Sequence, residues 1–344
     1  MDLEKRMRGS LLAWFNKYAR VLPWRQEPSL YKTVVSEFML QQTQVQTVLP
    51  YFERWLKLFP DFSVLANVEE SAVIKAWAGL GYYSRAKRLQ QLAKICCHHQ
   101  PKNYTEWLQC PGIGPYTAAA ISSIAQNEPI PVIDGNVIRV LSRFIAEKTI
   151  FKDKTEAFKR LQPFAEKFLD RDHPGKYNEA IMELGALICT KSHPLCHQCP
   201  IRNCCRMSSP AEAELYPQWV PQAYKTEEIP RLWLCDGKNF LVEKSDFVHR
   251  SSRMGLYEIP CLNEARKAFF NEFEKLLEGK RSIGKRRITE MFFTPTSPQP
   301  LNALLREKPF QQCQSIPVEN FQQYAYTGPH QRWITQLLKS VKSL

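Results

Sequence analysis

Between residues 11 and 188, apolar positions recur at helical spacing in short stretches, separated by Pro, Gly and Asn signals and with little strand-like alternation. That pattern predicts an all-α region. Within Tyr31-Lys32-Thr33-Val34-Val35-Ser36-Glu37-Phe38-Met39-Leu40, the residues Val34, Val35, Phe38 and Met39 form one apolar stripe, with Glu37 at its edge. A Ser-Pro and acidic stretch at residues 208–214, followed by Pro217, Pro221 and Pro230, has linker composition. The texture then changes. Arg231-Leu232-Trp233-Leu234-Cys235 reads as a strand, Asp236-Gly237 as a turn and Phe240-Leu241-Val242-Glu243 as the returning strand. A smaller α/β domain is expected from about residue 228. No internal repeat or long low-complexity tract interrupts this order.

A chain of 344 residues suffices for two domains with cores of their own. Its formal charge of +13 is unusual and points to a polyanionic partner, although charge alone does not name DNA. No apolar stretch approaches the roughly 20 residues that cross a bilayer. The start is charged and runs into only a short apolar patch, so the expectation is a soluble cytoplasmic protein with no signal peptide and no membrane contact.

Cys189, Cys196, Cys199 and Cys205 stand at spacings x6, x2 and x5. Four thiolates so close in sequence fit zinc or a 4Fe-4S cluster, and the x2 pair is common to both. The long first gap and the lack of a second CxxC weigh against a zinc ribbon. Cys204 could take the place of Cys205 as fourth ligand, and a set of plain buried thiols is the bland alternative. The remaining cysteines are scattered without pairing logic, which argues for a reducing compartment.

Leu108-Gln109-Cys110-Pro111-Gly112-Ile113-Gly114-Pro115-Tyr116 places a Gly-x-Gly turn between two helical stretches. Gly112 and Gly114 permit positive φ and close approach of a phosphate, and the helix opening at Pro115 aims its amides at an anion. A tight turn without a ligand is the competing reading. Asp134, in Val132-Ile133-Asp134-Gly135-Asn136, sits where an extended segment meets a helix and could be only an N-cap. Glu37 beside its apolar stripe would have its charged form disfavoured, which suits a general acid; a solvated surface Glu is the alternative. Two carboxylates in these roles match cleavage of a glycosidic bond, one protonating the leaving group and the other stabilising the cationic sugar.

These residues, with Met39-Leu40-Gln41-Gln42-Thr43-Gln44-Val45, Gly79-Leu80-Gly81-Tyr82-Tyr83-Ser84-Arg85-Ala86, Met182-Glu183-Leu184-Gly185-Ala186 and the cysteine quartet, occur in the order found in the MutY family of adenine DNA glycosylases. The chain resembles that family over roughly residues 8–208. The resemblance implies a helix-hairpin-helix glycosylase fold in residues 1–208: a six-helix barrel over about 28–133, and a 4Fe-4S cluster domain made of about 1–27 with 134–208. It implies double-stranded DNA carrying adenine opposite 8-oxoguanine or guanine as substrate, a monomer, and abasic-site repair enzymes downstream. Glu37 is then the acid for adenine N7, and Asp134 the group that meets the sugar cation, supported by Tyr116 and Asn136. Trp24 and Arg25 line the adenine pocket, Gln41, Gln42, Thr43 and Tyr82 meet the duplex, and Cys189, Cys196, Cys199 and Cys205 hold the cluster. Tyr82 and Tyr83 as core aromatics is the plainer reading. The related endonuclease III branch has a lysine where Tyr116 stands, so the chain is expected to be monofunctional.

Residues 209–227 are expected to link this region to a Nudix-like domain at 228–344. Met254-Gly255-Leu256-Tyr257-Glu258-Ile259-Pro260 and Thr327-Gly328-Pro329-His330-Gln331-Arg332 resemble motifs of the family's C-terminal domain, which checks for 8-oxoguanine. No intact Nudix box is present, and pyrophosphatase activity is not expected. Phe293-Thr294-Pro295-Thr296 stands where many members have Phe-Ser-His, so weaker discrimination of 8-oxoguanine from guanine is expected. Arg281, Lys285, Arg286 and Arg287 read equally as a solvated face or as phosphate contacts. Competing functions are a thymine-mispair or oxidised-pyrimidine glycosylase on the same scaffold, and a non-catalytic DNA-binding protein with a redox or structural cluster.

Overall fold

The computed structural model describes residues 3–221, 223–244, 256–283, 285–297, 300–324 and 326–341. Met254 and Gly255 of the first C-terminal motif lie outside the described residues. The chain divides into two compact units, Met1–Ala76 with Arg85–Pro221, and Trp77–Ser84 with Gln222–Leu344.

The first unit is helical. Its helix starts follow the local chemistry: Ser29, Asp61, Asn103, Asp134 and Asp153 each accept, through the side chain, an amide three residues on. Such caps satisfy donors that the helix itself leaves unpaired, at about 1 kcal/mol each. One core gathers Met7, Leu11 and Phe15, from one face of the Leu3–Tyr18 helix, onto Val137, Leu141 and Phe144 of the Gly135–Phe144 helix, with Leu161 and Leu184 beside them. The N-terminal helix therefore packs on helices well over a hundred residues away in sequence. The Leu30–Leu40 helix is enclosed on nearly all sides, with Tyr31 and residues 33–39 all buried, and it packs on the Pro115–Gln126 helix. The sole ladder among the described residues of this unit pairs Ile150–Phe151 with Gln218–Trp219 in parallel. The Pro210–Glu214 helix and the Gln218–Trp219 strand fall within residues 209–227.

The second unit contains two three-stranded sheets. In one, Arg286–Pro295 is central, parallel to Lys225–Leu232 and antiparallel to Phe273–Ile283. In the other, Asn239–Lys244 lies between Tyr257–Glu258 and Cys313–Pro317, antiparallel to both. The Gly328–Val341 helix contributes Trp333, Ile334 and Leu337 to the core with Phe240, Val242 and Phe292. Gly279 is where this packing is tightest, since a Cβ there would meet the Trp333 indole at 2.4 Å. The strand expected at residues 231–235 runs instead from Lys225 to Leu232 and belongs to the other sheet. The turn at Asp236-Gly237 does form, with φ 84° at Gly237 and the Asp236 amide donating to Asn239 O, but its flanks make a Cys235–Phe240 bridge and a bond from the Leu241 amide to Leu234 O rather than a ladder. The mixed polarity of residues 225–232 hid this strand, because it borders a charged network rather than an apolar face.

Candidate active site

Glu37 lies in the last turn of the Leu30–Leu40 helix, on a face closed by the helix that begins at Pro115. The residue is 6% exposed, and its Oε2 has no hydrogen-bond partner among the described residues. Burial disfavours the carboxylate and pushes its pKa up to about 7; the Tyr116 hydroxyl pulls the other way, and the charge of Asp134 adds to the rise. The sequence placed Glu37 at the edge of an apolar stripe, whereas the helix is buried around its circumference and Glu37 is inside.

Asp134 caps the Gly135–Phe144 helix: its Oδ1 accepts the Val137 amide at 2.7 Å, and its Oδ2 accepts from Asn136 Nδ2 at 2.9 Å. The two readings of this residue coexist, because the cap also orients the carboxyl group. Burial raises its pKa, and the bonds from Val137 and Asn136 oppose that rise. Asn136 is held in turn by Arg139, whose Nη2 donates to Asn136 Oδ1 at 2.8 Å and to Gly185 O at 2.7 Å, while its Nε donates to Cys189 O at 2.7 Å. A Cβ on Gly185 would lie 2.6 Å from Asn136 Cβ, so glycine is what allows this approach.

Glu37, Tyr116, Asp134, Asn136, Trp24 and Arg25 all line one open cleft of about 1070 Å³, with Thr43 among its other lining residues. Trp24 is buried edge-on against Phe52 at 5.1 Å. Arg25 pairs with Glu179 at 2.6 Å and Glu183 at 3.3 Å, and Arg20 grips Glu183 through both Nε and Nη2. Sequence reasoning assigns no site role to the carboxylates Glu179 and Glu183, which both line the cleft. Their spacing of four residues on one helix was the signal available. Gln41 donates to Thr117 Oγ1 at 3.3 Å. Gln42 is exposed with φ 60°, and Tyr82 is 57% exposed with φ 49°. Both occupy the left-handed region, which is uncommon for residues other than glycine. Tyr83, by contrast, is a core residue. Gly112 has φ 80°, and a Cβ on it would press on Arg88 and Phe38; the space around Gly114, the N-cap before Pro115, is open.

Cys189, Cys196, Cys199 and Cys205 line a second, small pocket of about 30 Å³ with Arg143 and apolar neighbours; Cys204 is not among the lining residues. Four sulfur donors around one apolar pocket form the donor set of a soft metal or an iron-sulfur centre. Among the described residues, no three possible ligands are drawn together closely enough to hold a metal ion. Burial pushes the Cys199 thiol up to about 12, and Cys196 and Cys205 rise for the same reason. The Arg143 guanidinium braces the loop, donating to the carbonyls of Thr190 and Lys191 at 2.7 and 3.0 Å, and lies 3.4 Å from Cys189 Sγ.

In the second unit the two C-terminal motifs meet. The Thr327 amide donates to Tyr257 O, and the Ile259 amide donates to His330 Nδ1 at 3.1 Å, which leaves the ring proton on Nε2 facing Glu290 Oε2 at 3.3 Å. Arg231 binds Glu290 at 2.8 Å and Glu258 at 3.1 Å, and Arg281 pairs with Glu290 as well. The basic run 281–287 is thus not one face. Arg281 is buried, Arg286 pairs with Glu227, and Arg287 stacks over Tyr224 at 4.3 Å. Thr294 lies in the Arg286–Pro295 strand opposite Glu274.

Residues 35–167 match the profile described as HhH-GPD superfamily base excision DNA repair protein. The solved structure of a thermostable thymine-DNA glycosylase covers 59% of this chain and 95% of its own, with a TM-score of 0.54 at 24% identity, a likeness of fold alone. The first part of the chain therefore has the helical fold of that structure, with residues 35–167 similar to the helix-hairpin-helix profile, and is followed by a smaller α/β domain. Curated proteins that it resembles include adenine DNA glycosylases. It is 44% identical over 215 residues to the adenine DNA glycosylase of Rattus norvegicus, and 38% over 206 residues to that of Buchnera aphidicola subsp. Baizongia pistaciae. These matches take in 58% and 57% of this chain but span only 41% and 57% of those relatives.

Proposed function

We propose that the protein is a monofunctional adenine DNA glycosylase acting on adenine opposite 8-oxoguanine or guanine in double-stranded DNA. The observation that carries this reading is the pair of carboxyl groups on one cleft, Glu37 buried with its pKa near 7 and Asp134 half-buried and fixed by two hydrogen bonds. A carboxyl group half-protonated at neutral pH suits proton donation to a departing base, and the neighbouring carboxylate suits the cationic sugar left behind. Asn136 holds Asp134 in place. Tyr116 cannot form the Schiff base through which a lysine would break the strand. Flipping adenine into the cleft costs a few kcal/mol, and the exposed Gln42 and Tyr82 are the side chains that would fill or buttress the vacated stack.

Cys189, Cys196, Cys199 and Cys205 are proposed to hold a 4Fe-4S cluster, with Cys205 rather than Cys204 as fourth ligand because it faces the shared pocket. When bound, the cluster would supply a cationic centre that stabilises the thiolates and fixes the loop. Residues 1–208 are taken as the catalytic region and 228–344 as a Nudix-like domain for 8-oxoguanine, joined through 209–227.

Single-turnover release of adenine from duplexes bearing A opposite 8-oxoguanine, G, C or T, developed with and without hot alkali, tests the reading. Strand breaks only after alkali, only opposite 8-oxoguanine or G, and absent in Glu37→Gln, are expected. A break without alkali that borohydride traps would reject the monofunctional mechanism.

A further inference from the structure

The second residue of the Ser84–His98 helix is an arginine that turns inward. Arg85 is 6% exposed. Its Nη1 donates to the carbonyls of Phe38 and Met39, both at 2.9 Å, and of Gln41 at 2.5 Å, while its Nη2 donates to Thr43 Oγ1 at 3.1 Å. These acceptors are late carbonyls of the helix that carries Glu37 and the two residues on either side of Gln42. The last carbonyls of a helix have no intrahelical partner, and a cation placed there also meets the negative end of the helix dipole. A guanidinium fork can satisfy several such acceptors from one fixed plane, which a lysine ammonium cannot. Between the two clamped positions the chain has one extreme residue, Gln42, exposed and at φ 60°.

We propose that Arg85 is a positioning residue for lesion engagement: it locks the turn at residues 41–43 so that Gln42 is presented to the duplex in a single conformation. The inference rests on the glycosylase reading above and adds to it a residue that touches neither base nor sugar. In sequence, Arg85 follows Tyr82, the other exposed left-handed residue, by three positions.

The test is a double-mutant cycle of Arg85→Lys and Gln42→Ala, read as equilibrium binding to a duplex with 2′-fluorinated deoxyadenosine, which is not cleaved, opposite 8-oxoguanine. A 2-aminopurine beside the lesion reports opening of the stack. Each single variant is expected to bind about tenfold more weakly, and the double variant no more weakly than Gln42→Ala alone, with the 2-aminopurine signal reduced in Arg85→Lys. Losses that multiply, or an unchanged 2-aminopurine signal in Arg85→Lys, would overturn the proposal. If thermal melting shows that Arg85→Lys does not fold, Thr43→Val replaces it in the cycle, with a smaller loss that must likewise vanish in the Gln42→Ala background. A wild-type protein that neither prefers the mispaired duplex nor releases adenine rejects the glycosylase reading itself, and this inference with it.

Discussion

A buried glutamate with an oxygen lacking any hydrogen-bond partner is costly in an ordinary helix, and the cost falls when the group is protonated. Glu37 meets both conditions, because its proton is retained up to about pH 7. A group that acts as an acid works only while protonated. Single-turnover adenine release is therefore expected to be level below pH 7 and to fall about tenfold per pH unit above it, provided that the duplex is saturating. A rate that instead rises through pH 7 would assign Glu37 the role of a base. The Glu37→Gln variant should lose at least a hundredfold in rate while still binding the mispaired duplex. The sequence revealed Glu37 and Asp134 as candidates through a stripe and a helix start. It could not reveal how deep Glu37 lies, since burial depends on the facing Pro115–Gln126 helix, and nothing local announces that contact. Arg85 was hidden for the same reason: a lone arginine at a helix start reads as a surface charge.

At the scale of elements, two helices determine whether Asp134 is held correctly. Gly185 lets the Pro174–Leu187 helix come close enough for Arg139 to reach Asn136, Gly185 O and Cys189 O together. Gly185→Ala should force Asn136 away from Asp134 and slow adenine release by about tenfold or more, while circular dichroism keeps its helical signal; an unchanged rate would mean that the helices part without cost. The cysteine loop makes a second prediction. Cys205→Ser should lower iron per chain well below wild type and Cys204→Ser should leave it unchanged, and the reverse result would exchange the two ligands. The x6, x2 and x5 spacing identified the loop but not which of the adjacent cysteines faces the pocket; after the short 3-10 turn of Arg202–Cys204, Cys205 lines it and Cys204 does not. The Lys225–Leu232 strand was misread because its pattern is set by Glu290 and Arg286 on the adjoining strand, not by an apolar layer.

Across the whole molecule, the charge of +13 hides a second unit with a buried charged centre of its own. His330 is held neutral, its pKa lowered to about 4 chiefly by burial, and Glu290, against the opposing effect of burial, is held ionised with its pKa at about 2 by the hydrogen bond from His330 and the charge of Arg231 and Arg281. For both groups the unfolded chain binds protons first as pH falls. Their contribution to stability is complete above pH 6.5, declines toward pH 4 through His330, and declines further below pH 4.5 through Glu290. Amide exchange in residues 286–295 and 328–341 should thus accelerate between pH 7 and pH 5 beyond the intrinsic rate, and His330→Gln should flatten that dependence. The two exposed left-handed residues also have a meaning for the unbound protein. An L-residue in that conformation costs about 1 kcal/mol, which glycine would recover. Selection for heat resistance alone would be expected to install glycine at positions 42 and 82, yielding a hardier chain that had given up the two side chains proposed to meet the duplex.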